Sequence, residues 1–560
     1  MSSIVLAVAL ALTAPDSCPR VREIQVVSGP ALDTTPRRWR WALRWANRLH
    51  VSTRPDVVRR ELPLRPGQCF DETRRREAER VLRATPFLAD AEVRAVPRVD
   101  GDVDLEVRTR DEWSLRVEVA WQGGTGGLRG LQARETNLLG TGQAIGLFWE
   151  ERQGTRVYGL AYSTPQVFGS RWDLALAAGR TPVGRFAASE LRMPFVREDD
   201  RWAVRFEGLT SRHDFEFVLP DGPDGALRAV WRPEERQRGR VTAAVRWGRR
   251  LRSTLLGAGV SWQRLVYPGA PRAADGQPLP PLPALDTVRS TSLLLLLGQR
   301  NLVFVPVRGF DTVNGREDLR LGVEVEAGMG TTVPRLSADP AMVLQGRFFT
   351  ATRAGPLIAG AQLEAEGERR LDAPPGQPEW SDVLAEAALW GYLKPTANGS
   401  TTYVLFVNAL GGWHNRTPFQ LTLGGHAGLR GEPRLRDPGA RRLVLSLEAR
   451  HHWRHWLSQL LDVGSVAFVD VGRSWAGAPT FATGSPWRIS AGTGLRLAFP
   501  RGSQQTLRVD VAVPLGPGAR RPQLTIGVGQ AIGMTAVGGD AQLARSRRHS
   551  VWLRDLFTSP

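Results

Sequence analysis

The chain has 560 residues, of which 42% are hydrophobic and 23% charged, a composition that excludes an intrinsically disordered protein. Its formal net charge is +18, but Lys394 is the only lysine and the arginines are spread along the whole chain. A nucleic-acid-binding protein would concentrate its positive charge in one patch, so this distribution argues against a nucleic-acid partner.

The N-terminus has the pattern of an export signal. Ile4 to Ala14 is an apolar stretch of signal-peptide length, so residues 1–17 are predicted to be a signal peptide. No run of 18 apolar residues follows, and a transmembrane helix is not expected. Two cysteines, Cys18 and Cys69, exclude a disulfide-rich scaffold and a multi-cysteine metal site. They leave two alternatives, one disulfide in an oxidising compartment or two free thiols.

Residues 20–112 alternate strand and helix patterns and are predicted to form a small α+β domain. The predicted elements, in order, are a strand around Ile24, helices 55–62 and 71–84, and strands 91–96 and 103–109.

An additional basic segment, 37–49, is predicted to be a helix between the first strand and the first of these helices. Its arginines fall on one helical face and its tryptophans are spread over the rest; the residues concerned are Arg37, Arg40, Trp41, Arg44, Trp45 and Arg48. One interpretation is an interfacial helix that touches anionic lipid headgroups. The alternative is a helix that packs its tryptophans on its own domain.

From 113 to 533 the hydrophobic period changes to two, which is typical of β-strands. Leu321, Val323 and Val325, for example, alternate with Glu324 and Glu326. A soluble β-sandwich would also alternate, but here strand patterns recur without an intervening helix, and charged residues take the face opposite the apolar one. The pattern favours a transmembrane β-barrel with a polar lumen. Spans of about 26 residues, each a strand with its loop, predict about 16 strands.

Several motifs together resemble the BamA/TamA family of outer-membrane assembly proteins across about residues 20–533. VVRRELPLRPGQCFD and AERVLRATPFLADAEV resemble a POTRA domain, the periplasmic module of that family, and TRDEW resembles the junction into the barrel. ETNLLGTGQ and YSTPQVFGSRWDL resemble the first barrel turns. LGGHAGLRGEP, LEAR, VAFVDVGRSW and GTGLRLAFP follow the order of the family's last strands. The resemblance implies a barrel in the bacterial outer membrane, preceded by one POTRA domain in the periplasm.

The family's signature is an Arg-Gly element on a long loop that folds back into the barrel lumen. Arg308, Gly309 and Phe310 match its letters well, but about ten strand patterns follow them, whereas the family places five after the loop.

Leu429, Arg430 and Gly431 are the second candidate, and five strand patterns follow them. Position therefore favours Arg430, with Arg308 as the alternate. The sequence departs from the family at Glu432, where the family has an aromatic residue.

An arginine inside a barrel lumen needs a carboxylate partner, because it is only partly hydrated there. The period of two places Phe468, Asp470 and Gly472 on one strand face, which the resemblance implies to be lumenal. We expect Asp470 to bind Arg430, assisted by Glu448. The alternative partners of Asp470 are other lumenal arginines, such as Arg496 and Arg508.

The resemblance implies a role in inserting or translocating proteins at the outer membrane. Its partners would be outer-membrane lipid, unfolded outer-membrane or secreted clients, and a periplasmic protein bound through the POTRA domain. The alternative is a pore or a lipid-handling barrel without protein clients.

No GxSxG, Walker or HExxH motif is present, and HHWRH, residues 451–455, contains no acidic residue. We therefore expect no enzyme activity, no cofactor and no metal site. The final segment, 534–560, is basic and extends beyond the family's last strand, so it is predicted to be a mobile tail.

Overall fold

The structure, a computed structural model, consists of an N-terminal α+β domain and a large closed β-barrel. It describes residues 18–32, 34, 40–122, 127–152, 155–221, 226–282, 285–396, 399–425, 428–453, 460–477, 483–516, 521–534, 540–549 and 551–557. The predicted signal peptide, 1–17, and Arg37 of the basic segment lie outside the described residues. No helix in the described ranges is long and apolar enough to cross a membrane.

The N-terminal domain is a three-stranded sheet covered by helices. Its elements are β1 Val21–Gly29, α1 Arg40–Leu49, α2 Pro55–Glu61, α3 Glu72–Arg83, β2 Leu88–Pro97 and β3 Val103–Asp111. The sheet order is β1-β3-β2, with β1 parallel and β2 antiparallel to β3. Val58 and Leu82, from α2 and α3, pack on Val93 and Val107 of the sheet to form a buried core. Asp71 is the N-cap of α3, since its side chain accepts a hydrogen bond from the Arg74 backbone N–H at 2.8 Å.

A disulfide joins Cys18 to Cys69, so of the two alternatives the structure contains the bridge. It ties the start of β1 to the loop before α3, where Arg20 also forms a β-bridge with Cys69.

The barrel is built from antiparallel neighbours in chain order. Its strands and the short strands of its connections are β4 Leu115–Gln122, β5 Gly127–Leu138, β6 Gln143–Arg152, β7 Thr155–Thr164, β8 Asp173–Thr181, β9 Gly184–Met193, β10 Trp202–Asp221, β11 Ala226–Arg249, β12 Arg252–Val266, β13 Arg272–Ala273, β14 Val288–Arg308, β15 Arg316–Thr332, β16 Ala341–Ala354, β17 Leu357–Arg370, β18 Trp380–Leu393, β19 Thr401–Trp413, β20 Leu421–Thr422, β21 Pro438–Gly439, β22 Arg441–Trp453, β23 Asp462–Trp475, β24 Arg488–Ala498, β25 Leu507–Pro514 and β26 Gln523–Val528.

The described strands close a barrel of 20 long strands, so the predicted number of 16 is wrong. Two-residue β13 adds to the wall beside β11, whereas β20 and β21 pair only with each other, as a separate hairpin. The estimate failed because it assumed an average connection at every turn. Several turns are much shorter, such as 182–183, 250–251 and 355–356, so each strand uses fewer residues.

The alternation predicted for the barrel wall separates an apolar outside from a charged inside. On β15, Val323 and Val325 are exposed, whereas Glu324 and Glu326 are buried in the lumen. Trp247 and Trp453, both at strand ends, are about half exposed. An apolar outer band with aromatic residues at its edges is the surface that lipid covers in a transmembrane barrel.

The N-terminal domain packs across one end of the barrel, which we call the proximal end; the opposite end is the distal end. Arg83 binds Asp318 at the start of β15, with 2.6 Å between Nη2 and Oδ1. Glu77 binds Arg250 in the β11–β12 turn. The Arg110 guanidinium donates to the Arg501 carbonyl in the β24–β25 connection at 3.1 Å. The domain therefore contacts turns from separate parts of the barrel circumference.

Candidate functional site: the lumenal loop, the barrel seam and the lumenal segment

The long connection between β19 and β22 turns back into the lumen from the distal end. Its hairpin, β20 with β21, leads to Leu423 and Leu429, which are fully buried. The Leu429 backbone N–H donates to the Leu423 carbonyl at 2.8 Å, and Leu423 N–H donates to the Arg436 carbonyl at 2.9 Å. These main-chain bonds shape the lumenal loop, 414–440, and present Arg430 to the barrel wall.

Arg430 meets the carboxylate that the sequence predicts. Its Nε donates to Asp470 Oδ2 at 2.9 Å and its Nη2 to Asp470 Oδ1 at 2.6 Å, a bidentate pair. Its Nη1 lies 2.5 Å from Glu448 Oε1, so Glu448 assists as expected. All three side chains are buried, and the structure thus brings the loop arginine together with two adjacent strands, β22 and β23.

Phe468 and Gly472 complete the surface on which the loop rests. The Arg430 guanidinium lies 3.5 Å from the centre of the Phe468 ring, within the range of a cation–π contact. A Cβ added to Gly472 would lie 2.6 Å from the Leu429 Cδ1 atom and 2.9 Å from the Leu423 Cδ1 atom. The same Cβ would lie 2.9 Å from the Leu443 backbone carbonyl, so the absence of a side chain at Gly472 lets the two leucines pack closely on the wall.

The other arginines proposed for Asp470 have different partners. Arg496 Nη1 lies 2.6 Å from Asp510 Oδ1, and Arg508 lies 3.7 Å from Asp510 Oδ2. Glu432, where the family has an aromatic residue, is buried and lies 3.4 Å from the Arg436 Nε.

The alternate signature, Arg308 with Gly309 and Phe310, lies at the turn between β14 and β15. Arg308 ends β14 at the proximal end, where it is exposed and its Nη1 donates to the Asn314 carbonyl at 3.1 Å. Gly309 follows in the same turn, with its carbonyl bonded by Thr402 at 2.9 Å. Phe310 is buried against Tyr392, with 5.5 Å between ring centres. This short turn packs across the proximal opening of the barrel, where Arg450 Nη1 donates to the Phe310 carbonyl and the Tyr392 hydroxyl donates to Asp311 at 2.6 Å. Arg308 itself is exposed, and Arg430 is the signature arginine that the structure buries in the lumen.

The barrel closes between its first and last strands through a short seam. Within the described residues, β26 and β4 are in register only at Thr525 with Gln122 and at Ile526 with Trp121. By contrast, β22 stays in register with β23 along its whole length. The stretch Leu115–Ala120 of β4 has β5 as its registered partner and no registered partner across the seam in the described chain.

The predicted mobile tail is wrong for the part of it that the structure describes. Residues 540–549 and 551–557, here called the lumenal segment, lie inside the barrel. The segment contains a short helix, α4 Ala541–Ala544, and then runs along the inner faces of β15 to β18. The sequence did carry a signal for this placement, because the segment's arginines match a row of inward glutamates on β17.

The basic helix α1 sits beside the start of the barrel. Leu43 is buried, whereas Trp41 is 75% and Trp45 is 62% exposed. Arg40, Arg44 and Arg48 are exposed as well. The tryptophans are not packed on their own domain, which is the arrangement expected of the interfacial alternative.

One buried carboxyl lies between the N-terminal domain and the barrel. Glu61, at the end of α2, accepts a hydrogen bond from Gln166 Nε2 at 2.9 Å. Burial, helped by the nearby Asp173 carboxylate, raises the pKa of Glu61 to about 8, against the opposing effect of Arg60 and Arg192. This contact is therefore sensitive to pH near neutrality.

The described residues contain no group of three or more His, Cys, Asp or Glu side chains that could hold a metal ion. In the HHWRH motif, His451 is exposed and its Nδ1 lies 2.9 Å from the Thr401 hydroxyl, while His455 lies outside the described residues.

The closed wall, its apolar outer surface and its charged interior define a membrane-spanning β-barrel of the outer-membrane type, with an N-terminal α+β domain. The sequence matches no protein-family model and no curated protein.

Solved structures do match this chain. They include BamA from Haemophilus ducreyi lacking POTRA domains 1–3, with 14% identity, a TM-score of 0.36, and coverage of 91% of this chain and 85% of that one. CdiB from Escherichia coli matches with 12% identity and a TM-score of 0.48, over 91% of this chain and 76% of that one. CdiB from Acinetobacter baumannii matches with 11% identity and a TM-score of 0.41, over 91% and 74%.

Proposed function

We propose that this protein resides in the bacterial outer membrane and inserts or translocates client polypeptides there, acting at the seam between β4 and β26. The short pairing across this seam carries the proposal, since it leaves Leu115–Ala120 of β4 without a registered partner across the seam in the described chain. An unpaired strand edge is a template on which another chain adds a strand. The motifs that resemble the BamA/TamA family support the same role.

In this proposal the N-terminal domain is a POTRA domain on the periplasmic side, and it delivers the client. One edge of its sheet, β2, is already covered by α3: Arg75 Nη1 donates to the Val93 carbonyl at 2.6 Å, and Val93 N–H donates to Glu79 at 3.0 Å. We therefore assign client binding to the other edge, β1, beyond Val21, whose N–H and carbonyl are already bonded to Gln68 and Gly67. Because β3 ends at Asp111 and β4 begins at Leu115, a client on this domain is delivered close to the seam.

The lumenal loop would keep the rest of the wall rigid while the seam opens. Arg430 joins the loop to β22 and β23, and a Cβ added to Gly431 would lie 2.5 Å from Ser490 Cβ on β24. The loop is thereby fixed to strands that precede β26. Opening the seam would then move β26 against a braced wall. No chemical catalysis, metal or cofactor is part of this proposal.

A photo-crosslinking amino acid placed on the seam tests the proposal. Val117, which is 62% exposed on β4, is the test position, and Leu389, which is 55% exposed on β18, is the matched control on the outer wall. We expect adducts with precursors of other outer-membrane or secreted proteins at Val117 and not at Leu389. Equal labelling at both positions, or adducts with lipid alone, would contradict the proposal and favour a barrel without protein clients.

A further inference from the structure

The lumenal segment runs through the barrel interior from the distal to the proximal end. Before it, the Met534 N–H donates to the Tyr392 hydroxyl at 2.9 Å near the proximal end. At the distal side, Gln542 bonds Thr422 of the lumenal loop in both directions, at 2.9 and 2.7 Å. At the end of the segment, the Phe195 N–H in the β9–β10 connection donates to the Leu556 carbonyl at 2.8 Å, again at the proximal end. The described segment thus extends from the distal loop to the proximal end.

The basic centre of the segment binds an acidic face of the lumen. Arg547 lies 2.7 Å from Glu364, and Arg548 lies 2.7 Å from both Glu368 and Asp382. These carboxylates are buried, and they occupy the inner faces of two adjacent strands, β17 and β18. Burying such charges is costly unless they are paired, so the segment is held by the charges that it neutralises.

A buried apolar cluster anchors the C-terminal end of the lumenal segment. Leu553 and Phe557 belong to a buried cluster with residues of β10, β11, β12, β14 and β16. A Cβ added to Gly257 or Gly298 would lie 2.8 or 3.0 Å from the Leu553 side chain, so the wall leaves room for it. The Arg300 guanidinium lies 3.7 Å from the centre of the Phe557 ring. Wall and segment are therefore complementary in shape as well as in charge.

The number of strands in the barrel bears on whether its lumen would conduct ions without the lumenal segment. Barrels of about 16–18 strands enclose an aqueous channel, and those of about 22 strands hold a plug in the lumen. The described wall has 20 strands, wide enough for a channel if nothing fills it. We propose that the lumenal segment is a plug that closes this barrel to ions, and that the barrel from which the segment is displaced is an ion-conducting pore. This inference concerns the lumen and does not rest on the role proposed for the seam.

The pore is expected to prefer cations over anions more strongly than any leak through the closed barrel. Displacement removes Arg547 and Arg548 from the lumen while Glu364, Glu368 and Asp382 stay on the wall. Carboxylates lining a pore favour cations through their fixed negative charge.

The test is ion conductance in planar lipid bilayers. The full chain is compared with the Arg547→Glu, Arg548→Glu pair, which sets the segment's charge against the acidic wall. The matched control is Arg76→Glu with Arg94→Glu, because these arginines are exposed on the N-terminal domain. We expect the lumenal pair to raise conductance by an order of magnitude, with a reversal potential in a KCl gradient that shows cation preference. The control pair should match the full chain.

A chain lacking residues 535–560 provides the second measurement, with heat-modifiable gel mobility as the check that its barrel is folded. Bilayers that contain the shortened chain should show a continuous ion current, and a synthetic peptide of residues 540–557 should block this current. The same peptide carrying Arg547→Glu and Arg548→Glu should not. A folded shortened barrel with the conductance of the full chain overturns the proposal. If the shortened chain does not fold, the test rests on the Arg547→Glu, Arg548→Glu variant. Conductance of that variant equal to that of the full chain overturns the proposal.

Discussion

The contact between Arg430 and Asp470 makes a quantitative prediction about the stability of the barrel. Arg430→Ala removes the guanidinium from two buried carboxylates, Asp470 and Glu448. Glu448 keeps a second partner, Arg450, at 2.8 Å, so Asp470 is the group left with a buried, uncompensated charge. Asp470→Ala is milder, because Arg430 retains Glu448.

The expected costs follow from burial. Asp470 is 0% and Arg430 is 3% exposed, and removing one member of a buried pair costs about 3–5 kcal/mol of unfolding free energy. We expect a cost of about 4 kcal/mol for Arg430→Ala, and about 2–3 kcal/mol for Asp470→Ala, the value of lost hydrogen bonds to a charged group. The double variant leaves no uncompensated Asp470 charge. It should therefore cost about 2 kcal/mol less than the sum of the two single changes.

The measurement is urea unfolding of the protein in lipid vesicles, followed by the heat-modifiable gel shift and by circular dichroism. A control cycle combines Asp470→Ala with Arg347→Ala, because Arg347 on β16 has its own carboxylates, Glu324 and Glu364. This cycle should be additive. Additivity within about 0.5 kcal/mol for Arg430 and Asp470 as well would refute a direct energetic contact.

Three further predictions concern the loop, the domain contact and the basic helix. Gly472→Val should destabilise the barrel by about 1–3 kcal/mol through overpacking, whereas Gly391→Ala, where a Cβ meets nothing within 4 Å, should unfold in urea like the wild type. Because the Glu61 pKa rises to about 8 in the folded protein, its contribution is complete below the unfolded pKa of 4.5 and is lost as pH rises to 8. Protease resistance of the N-terminal domain should fall over that range, and Glu61→Gln should abolish the dependence; an unchanged slope would contradict it. Trp41→Phe with Trp45→Phe should reduce quenching of tryptophan fluorescence by headgroup-brominated anionic lipid, and undiminished quenching would place these side chains away from the membrane.

The sequence predicted most of what depends on local periodicity. The period of two separated Val323 from Glu324 and placed Asp470 and Gly472 on one face, because side-chain direction in a strand follows from the backbone alone. Five strands after Arg430 sufficed to choose it over Arg308. These predictions needed no knowledge of distant contacts.

The parts that failed depend on long-range geometry. The number of strands follows from the length of each turn, and turns such as 250–251 are shorter than the average that the estimate used. The placement of the lumenal segment depends on a wall assembled from strands that are distant in sequence, as Arg548 and Glu368 illustrate with a separation of 180 residues. In the sequence alone, a basic segment beyond the last strand has the composition of a solvated tail, because the acidic wall that binds it forms only when distant strands assemble.

The central claim, that the barrel inserts or translocates other proteins, is tested most directly by depleting it from its native host and measuring the outer-membrane and secreted proteomes. We expect a selective loss of other barrel proteins or of secreted proteins, restored by the wild-type chain and not by a chain whose seam is locked by Trp121→Cys with Ile526→Cys. An unchanged proteome after depletion, accompanied by altered permeability to small solutes or lipids, would contradict the claim.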